Sequence, residues 1–166
     1  MAVRMVVHPA VAQTMAQRTQ AVVVEGTAVV ESVHPYQLYS NGRYIGNGGG
    51  AAARTQDLWE FRSHVRSTAT VLAITAQSSN DQHDGMTVEA TVNGVPSTGQ
   101  WKCSGSAELG WEQEGFDDSR WPVATRVAGT QHIWADGDQE AFMQVYCRLT
   151  TPVVSHATST GQLPMG

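Results

Sequence analysis

Carboxylates gather at three places in this chain: Glu112 and Glu114, then Asp117 and Asp118, then the segment Ala135-Asp136-Gly137-Asp138-Gln139-Glu140. A carboxylate pair hydrolyses glycosides when the two groups oppose each other about 5–9.5 Å apart across a substrate. Asp117 and Asp118 are neighbours in a turn, so their side chains diverge. That suits capping, in which an aspartate accepts backbone N–H bonds with Ser119 assisting. Glu112 and Glu114 flank the same loop, and nothing in the sequence sets another carboxylate opposite them. Asp136, Asp138 and Glu140 supply three oxygen donors around a glycine, an arrangement suited to a hard cation. A structural calcium is the ion expected there, against the alternative of an acidic hairpin turn facing water. The twelve-residue EF-hand pattern is missing.

Other chemistries find less support. The histidines His8, His34, His64, His83, His132 and His156 have no ligand spacing, and neither Cys103 nor Cys147 belongs to a CxxC pair, so zinc is not expected. Ser104-Gly105-Ser106 is not a GxSxG elbow, and Gly48-Gly49-Gly50 is not followed by the Lys-Ser/Thr of a phosphate cradle. These exclusions favour a non-catalytic protein.

Sugar binding asks for an aromatic platform against the apolar face of a pyranose, with polar groups for its hydroxyls. The five tryptophans, Trp59, Trp101, Trp111, Trp121 and Trp134, exceed what a small core needs. Trp59 and Trp134 adjoin polar segments and are the platform candidates. Arg43 and Tyr44 join them, because an exposed arginine donates to hydroxyls or carboxylates.

The elements that must position these residues read as strands. Charged residues are 15% of the 166, glycines number 16, and Val, Thr and Trp are plentiful, a composition that favours an all-β domain. Ala21-Val22-Val23-Val24-Glu25 is a β-branched run that Gly26 is expected to end, and Ala28 to Val33 forms the next. Tyr36 to Ser40 and Arg43 to Gly46 flank Asn41-Gly42, the strongest short-range signal of a hairpin with a type I′ turn. Gly46 to Ala53 reads as a flexible connector, and Asp57 to Arg62 as a strand or a single helical turn. Thr70 to Ala76 is nearly all apolar and predicts a central strand covered on both faces. Met86 to Val92 alternates and meets a second tight turn at Asn93-Gly94; Gln100 to Cys103 and Phe142 to Leu149 complete the set. Short strands separated by turn chemistry predict one antiparallel β-sandwich or jelly roll over 21–150. Residues 1–20 are left as a lead-in or edge strand, and 151–166 as a disordered tail.

The formal charge of −5 and the scatter of Arg43, Arg54, Arg62, Arg66 and Lys102 exclude a nucleic-acid partner. No run approaches the ~18 apolar residues of a membrane span, and His8-Pro9 interrupts any leader. Cys103 and Cys147 suggest a disulfide and an oxidising compartment, against the alternative of two buried thiols. A bridge would close a loop of roughly 45 residues, worth roughly 4 kcal/mol in the chain-entropy model.

Tyr36-Gln37-Leu38-Tyr39-Ser40-Asn41-Gly42-Arg43-Tyr44-Ile45-Gly46 resembles the Y-x-L-Y-V-N-G-x-x-I-G block of galactose-binding-like β-sandwiches, the accessory jelly rolls of family 2 glycosidases and α-L-rhamnosidases. Val71-Leu72-Ala73-Ile74 is similar to their N-V-L-A-I strand, and Gly110-Trp111 with Phe116-Asp117-Asp118-Ser119-Arg120-Trp121-Pro122 to their G-W…F-D-D-S-x-W-P element. The blocks fall in the family's order and cover roughly Ala21 to Leu149. Trp101-Lys102-Cys103 and Tyr146-Cys147-Arg148 look like paired elements of stand-alone extracellular members. The resemblance implies that Trp111, Phe116 and Trp121 are packing residues, that the chain carries no catalytic residues, and that a structural calcium suits it. Ser40 departs from the pattern, so that face of the hairpin is expected to be less buried. The expected function is a secreted or extracellular carbohydrate-binding, lectin-like or accessory module with a glycan or glycoconjugate as partner. The alternative is a structural or protein-interaction module, including a homo-oligomer, without sugar affinity.

Overall fold

The computed structural model describes residues 21–50, 55–78, 85–97, 99–126, 133–135 and 144–153. The acidic segment at Asp136, Asp138 and Glu140 lies outside them, as do residues 1–20 and the chain beyond 153.

Period-2 alternation dominates the chain and builds the layers. Strand β1 (Val22–Ser32) turns Val24, Ala28, Val30 and Ser32 inward, and β6 (Met86–Val92) does the same with Met86, Ala90 and Val92. With β4 (Thr55–Val65), β7 (Val95–Pro96), β9 (Thr125–Arg126) and β10 (Ile133–Trp134) they form the first sheet, ordered β4-β1-β6-β10-β9 with β7 against β6. The second sheet runs β3-β2-β5-β11-β8, from β2 (Tyr36–Ser40), β3 (Arg43–Gly48), β5 (Ala69–Gln77), β8 (Lys102–Ser104) and β11 (Gln144–Pro152). Every pairing is antiparallel. The two sheets enclose one core, with Val24, Val30, Leu38, Leu72, Ile74, Met86, Val145 and Leu149 at its centre. The protein is a β-sandwich.

Four local features differ from, or sharpen, the sequence reading. Gly26 does not end a strand: β1 passes through it, opposite Phe61 on β4 and Val92 on β6. A Cβ there would stand 2.3 Å from the Thr91 carbonyl oxygen and 2.4 Å from the Phe61 ring, so the glycine is needed for close packing. Ser40 is 1% exposed, because Ser63 on β4 shares a 3.0 Å hydrogen bond with it; a buried hydroxyl pair replaces the expected wet face. Strand β11 reaches Pro152, so Thr151, opposite Thr70, belongs to the sheet rather than to a tail. Cys103 and Cys147 face each other across β8 and β11 and are bridged, and no free cysteine remains.

Asn41 and Gly42 take φ values of 47° and 80°, which makes the turn between β2 and β3 the expected I′ turn. Asn41 also works outside the turn. Its amide nitrogen donates to Ser63 Oγ (2.9 Å) and Thr70 Oγ1 (2.8 Å), and its amide oxygen accepts the Val71 N–H at 2.7 Å. Glycine would suit the turn equally well and lose all three bonds. Asn41→Gly is therefore expected to lower stability by about 2 kcal/mol in urea denaturation, an outcome turn propensity alone does not produce.

Candidate functional site

The outer face of the second sheet collects the aromatic residues. On β2 the residues between Tyr36, Leu38 and Ser40 point outward, which exposes Gln37 and Tyr39. A bulge between Leu38 and Tyr39 shifts the β3 register, so that Tyr44 stands opposite Tyr39 and Asn47 opposite Gln37. On β11, Tyr146 and Arg148 have the outward parity, between inward Val145, Cys147 and Leu149. Strand β5 is buried on both faces, Val71 and Ala73 included, as its apolar run predicts.

The segment 105–122 is tied onto this face, and Arg148 is its anchor. The guanidinium is 2% exposed and donates to Asp118 Oδ2 (2.9 Å), to the carbonyls of Trp111 and Gln113 and, at 3.5 Å, to that of Phe116. Its carbon lies 5.1 Å from the Phe116 ring centre. Lys102 Nζ joins Asp118 at 3.0 Å. Burial pushes the Asp118 carboxyl up, but the bonds from Arg148 and Lys102 outweigh it and hold the group below its ordinary value. Asp117 Oδ1 accepts the Ser119 N–H at 3.0 Å, and bonds to Ser119 keep that exposed carboxyl ionised to lower pH. Glu114 accepts the Arg66 N–H and the Ser67 hydroxyl at 3.3 Å. These three carboxylates all serve to position the segment.

What the segment presents is a band of rings. Tyr39 touches Tyr44 and Trp111, each with centroids 5.7 Å apart; Trp111 touches Tyr146 at 5.1 Å and lies nearly parallel to Trp121, at 6.4 Å and 19°; Phe116 abuts Trp121 at 5.6 Å. Tyr44 is 49% exposed and the other five rings are partly exposed. Trp111, Phe116 and Trp121 do pack, yet on the outer face of the sheet rather than between the layers.

The expected platform residues are not brought together. Tyr44 alone of the four belongs to the band. Trp134, expected near the surface, is 1% exposed: pairing of Ile133 with Met86 seats β10 in the first sheet, and the indole packs beside His34 in the core. Trp59 lies against Gly46 on β3, where its Nε1 donates to the Tyr36 hydroxyl at 2.8 Å, and Tyr36 in turn donates to Asp57 at 2.6 Å. This chain closes the seam between the sheet edges β3 and β4, and burial followed by the Asp57 bond raises the Tyr36 phenol. Arg43 reaches the Arg62 carbonyl on β4 at 3.4 Å. Tyr39, Tyr146 and Arg148 were missed, although their outward parity between apolar neighbours is visible in the sequence.

A hollow of about 180 Å³ lies by Tyr44 with Ser40, Arg43, Glu60 and Arg62, and two more adjoin the band. One, of about 210 Å³, is lined by Gln37, Asn47, Thr75, Gln77 and Gln144. The other, of about 280 Å³, lies by Trp121 and Phe116 with Ser104, Glu108, Asp117 and Arg120. A larger hollow of about 670 Å³ opens on the first sheet, but several of its polar groups are already matched: Arg62 pairs with Glu25 at 3.4 Å and Thr27 with Thr91 at 2.7 Å. It also lacks an open aromatic band. Among the described residues no three His, Cys, Asp or Glu side chains are grouped to hold a metal. No family model, curated protein or solved structure matches the chain.

Proposed function

We propose that this sandwich is a non-catalytic carbohydrate-binding module of galactose-binding-like, jelly-roll type, working in an oxidising extracellular setting. The observation that carries the reading is the band Tyr44, Tyr39, Trp111, Tyr146, Trp121 and Phe116, laid on a sheet and held by the buried Arg148. Partly exposed rings in fixed positions give a sugar ring apolar contact at little entropic cost, and the flanking amides and hydroxyls suit its hydroxyl groups. The disulfide supports the oxidising setting.

A glycan array run with calcium and again with chelator tests the reading. Binding to a defined sugar class is expected, and the chelator arm reports on calcium at the acidic segment of Asp136, Asp138 and Glu140. Tyr44→Ala removes a half-exposed ring and should leave the melting temperature within a degree or two while weakening binding about tenfold. Trp111→Ala removes the centre of the band and should weaken binding thirtyfold or more, about 2 kcal/mol. A blank array from a cooperatively melting protein would move the reading to a protein-interaction module.

A further inference from the structure

We infer that the hollow beside the band is a hydroxyl-reading subsite and that the ligand is a neutral, extended glycan, an inference that rests on the carbohydrate reading above. The hollow holds no charged group: beside Pro35, Tyr36, Gly48 and Ala76 it is lined by four side-chain amides and one threonine, Gln37 from β2, Asn47 from β3, Thr75 and Gln77 from β5, and Gln144 from β11. It is continuous with the aromatic band through two hydrogen bonds. The Tyr39 hydroxyl donates to Gln37 Oε1 and the Tyr44 hydroxyl to Asn47 Oδ1, both at 2.8 Å.

Those bonds fix the direction of both amides. Each amide oxygen is occupied by a platform tyrosine, which leaves the nitrogens of Gln37 and Asn47 to act as donors. Across the hollow the polarity is reversed. Gln144 donates through its nitrogen to Thr75 Oγ1 at 3.2 Å, and that hydroxyl donates to the Val145 carbonyl at 2.9 Å, so Gln144 contributes its oxygen as an acceptor. Donors on one wall and an acceptor on the other suit sugar hydroxyls, which both accept and donate.

The charges around the band argue for neutrality. Lys102 and Arg148 are both bonded to Asp118 and Arg43 is turned to β4, while the exposed Arg120 lines the hollow by Trp121 and not this one, so no cation lines the proposed subsite. Glu112 lies close enough to Tyr39 to help burial raise its phenol, and its charge repels an anion on the band. An acidic group here would meet only neutral amide donors, with no cation in the hollow to offset its lost hydration. Extension follows from the shape, because six rings across the face and a hollow at its side exceed the contact surface of one sugar.

Isothermal titration of the full chain with neutral hexasaccharides of glucose, mannose, galactose and N-acetylglucosamine, and with hexagalacturonate, tests this. Gln37→Glu and Asn47→Asp each keep an acceptor for the tyrosine hydroxyl and turn the outward donor into an anionic acceptor, which a sugar hydroxyl that must accept there cannot use. The expected result is binding of at least one neutral hexasaccharide, none of hexagalacturonate, and an approximately tenfold loss in each variant with an unchanged melt. Preference for hexagalacturonate would overturn the inference. So would unchanged affinity in both variants while Tyr44→Ala still weakens binding, and in that case the platform itself stands. No binding to any hexasaccharide by the folded protein would remove the carbohydrate reading and the subsite with it.

Discussion

Replacing Arg148 with methionine will lower the unfolding free energy by about 3–5 kcal/mol, the range for removing one partner of a buried ion pair. Methionine restores most of the volume, so the loss isolates the polar role. Without the guanidinium, Asp118 keeps only Lys102, and the carbonyls of Trp111, Gln113 and Phe116 lose their donor. Urea denaturation gives the stability, and glycan binding should fall together with it, because Trp111 and Trp121 sit on the segment these bonds hold. The same contact predicts acid sensitivity. The Asp118 pKa is depressed in the folded state, so its contribution is fully present above the ordinary carboxylate value of 3.8 and is lost as pH falls through the lower folded value. Stability of the parent protein should therefore drop more steeply below about pH 4 than that of Arg148→Met.

Removing the disulfide ranks next. Cys103 and Cys147 are 44 residues apart, and the chain-entropy model assigns such a bridge about 4 kcal/mol. Because they are directly opposed on β8 and β11, the double alanine variant will free the edge strand β8 along with the segment that follows it. The expected result is a loss of about 2–5 kcal/mol in urea denaturation, matched by reduction of the parent protein. An unchanged melt under reducing conditions would contradict it.

Local chemistry was legible in the sequence, and burial between distant elements was not. Asn41-Gly42 dictated its turn because few residues accept positive φ, and Thr70 to Ala76 declared a strand covered on both faces because it holds almost no polar side chain. Gly26 misled, since a glycine looks like a break until the ring of Phe61, 35 positions on, is seen resting on it. Ser40 misled similarly: its partner Ser63 lies on the other sheet. The polar neighbours of Trp134 suggest a surface residue, but a two-residue strand is too short for parity to reveal which way its ring turns. The band was half visible. Trp111 and Trp121 stand out as a motif, while Tyr39 and Tyr146 gain meaning only when β2 and β11 are placed on either side of β5.

The position of β11 also dictates an order of events during synthesis. This strand is among the last described elements to leave a ribosome, yet it sits inside the second sheet, between β5 and β8, and supplies Arg148. Until it arrives, the edge of β5 stays unpaired and the segment 105–122 has nothing to dock on. Among the described residues the aromatic surface is thus the final part to be assembled, and bridging of Cys103 must wait for Cys147 at the same moment. During that interval the apolar β5 is open to other strands, so slow elongation near codon 144 would favour aggregation over assembly.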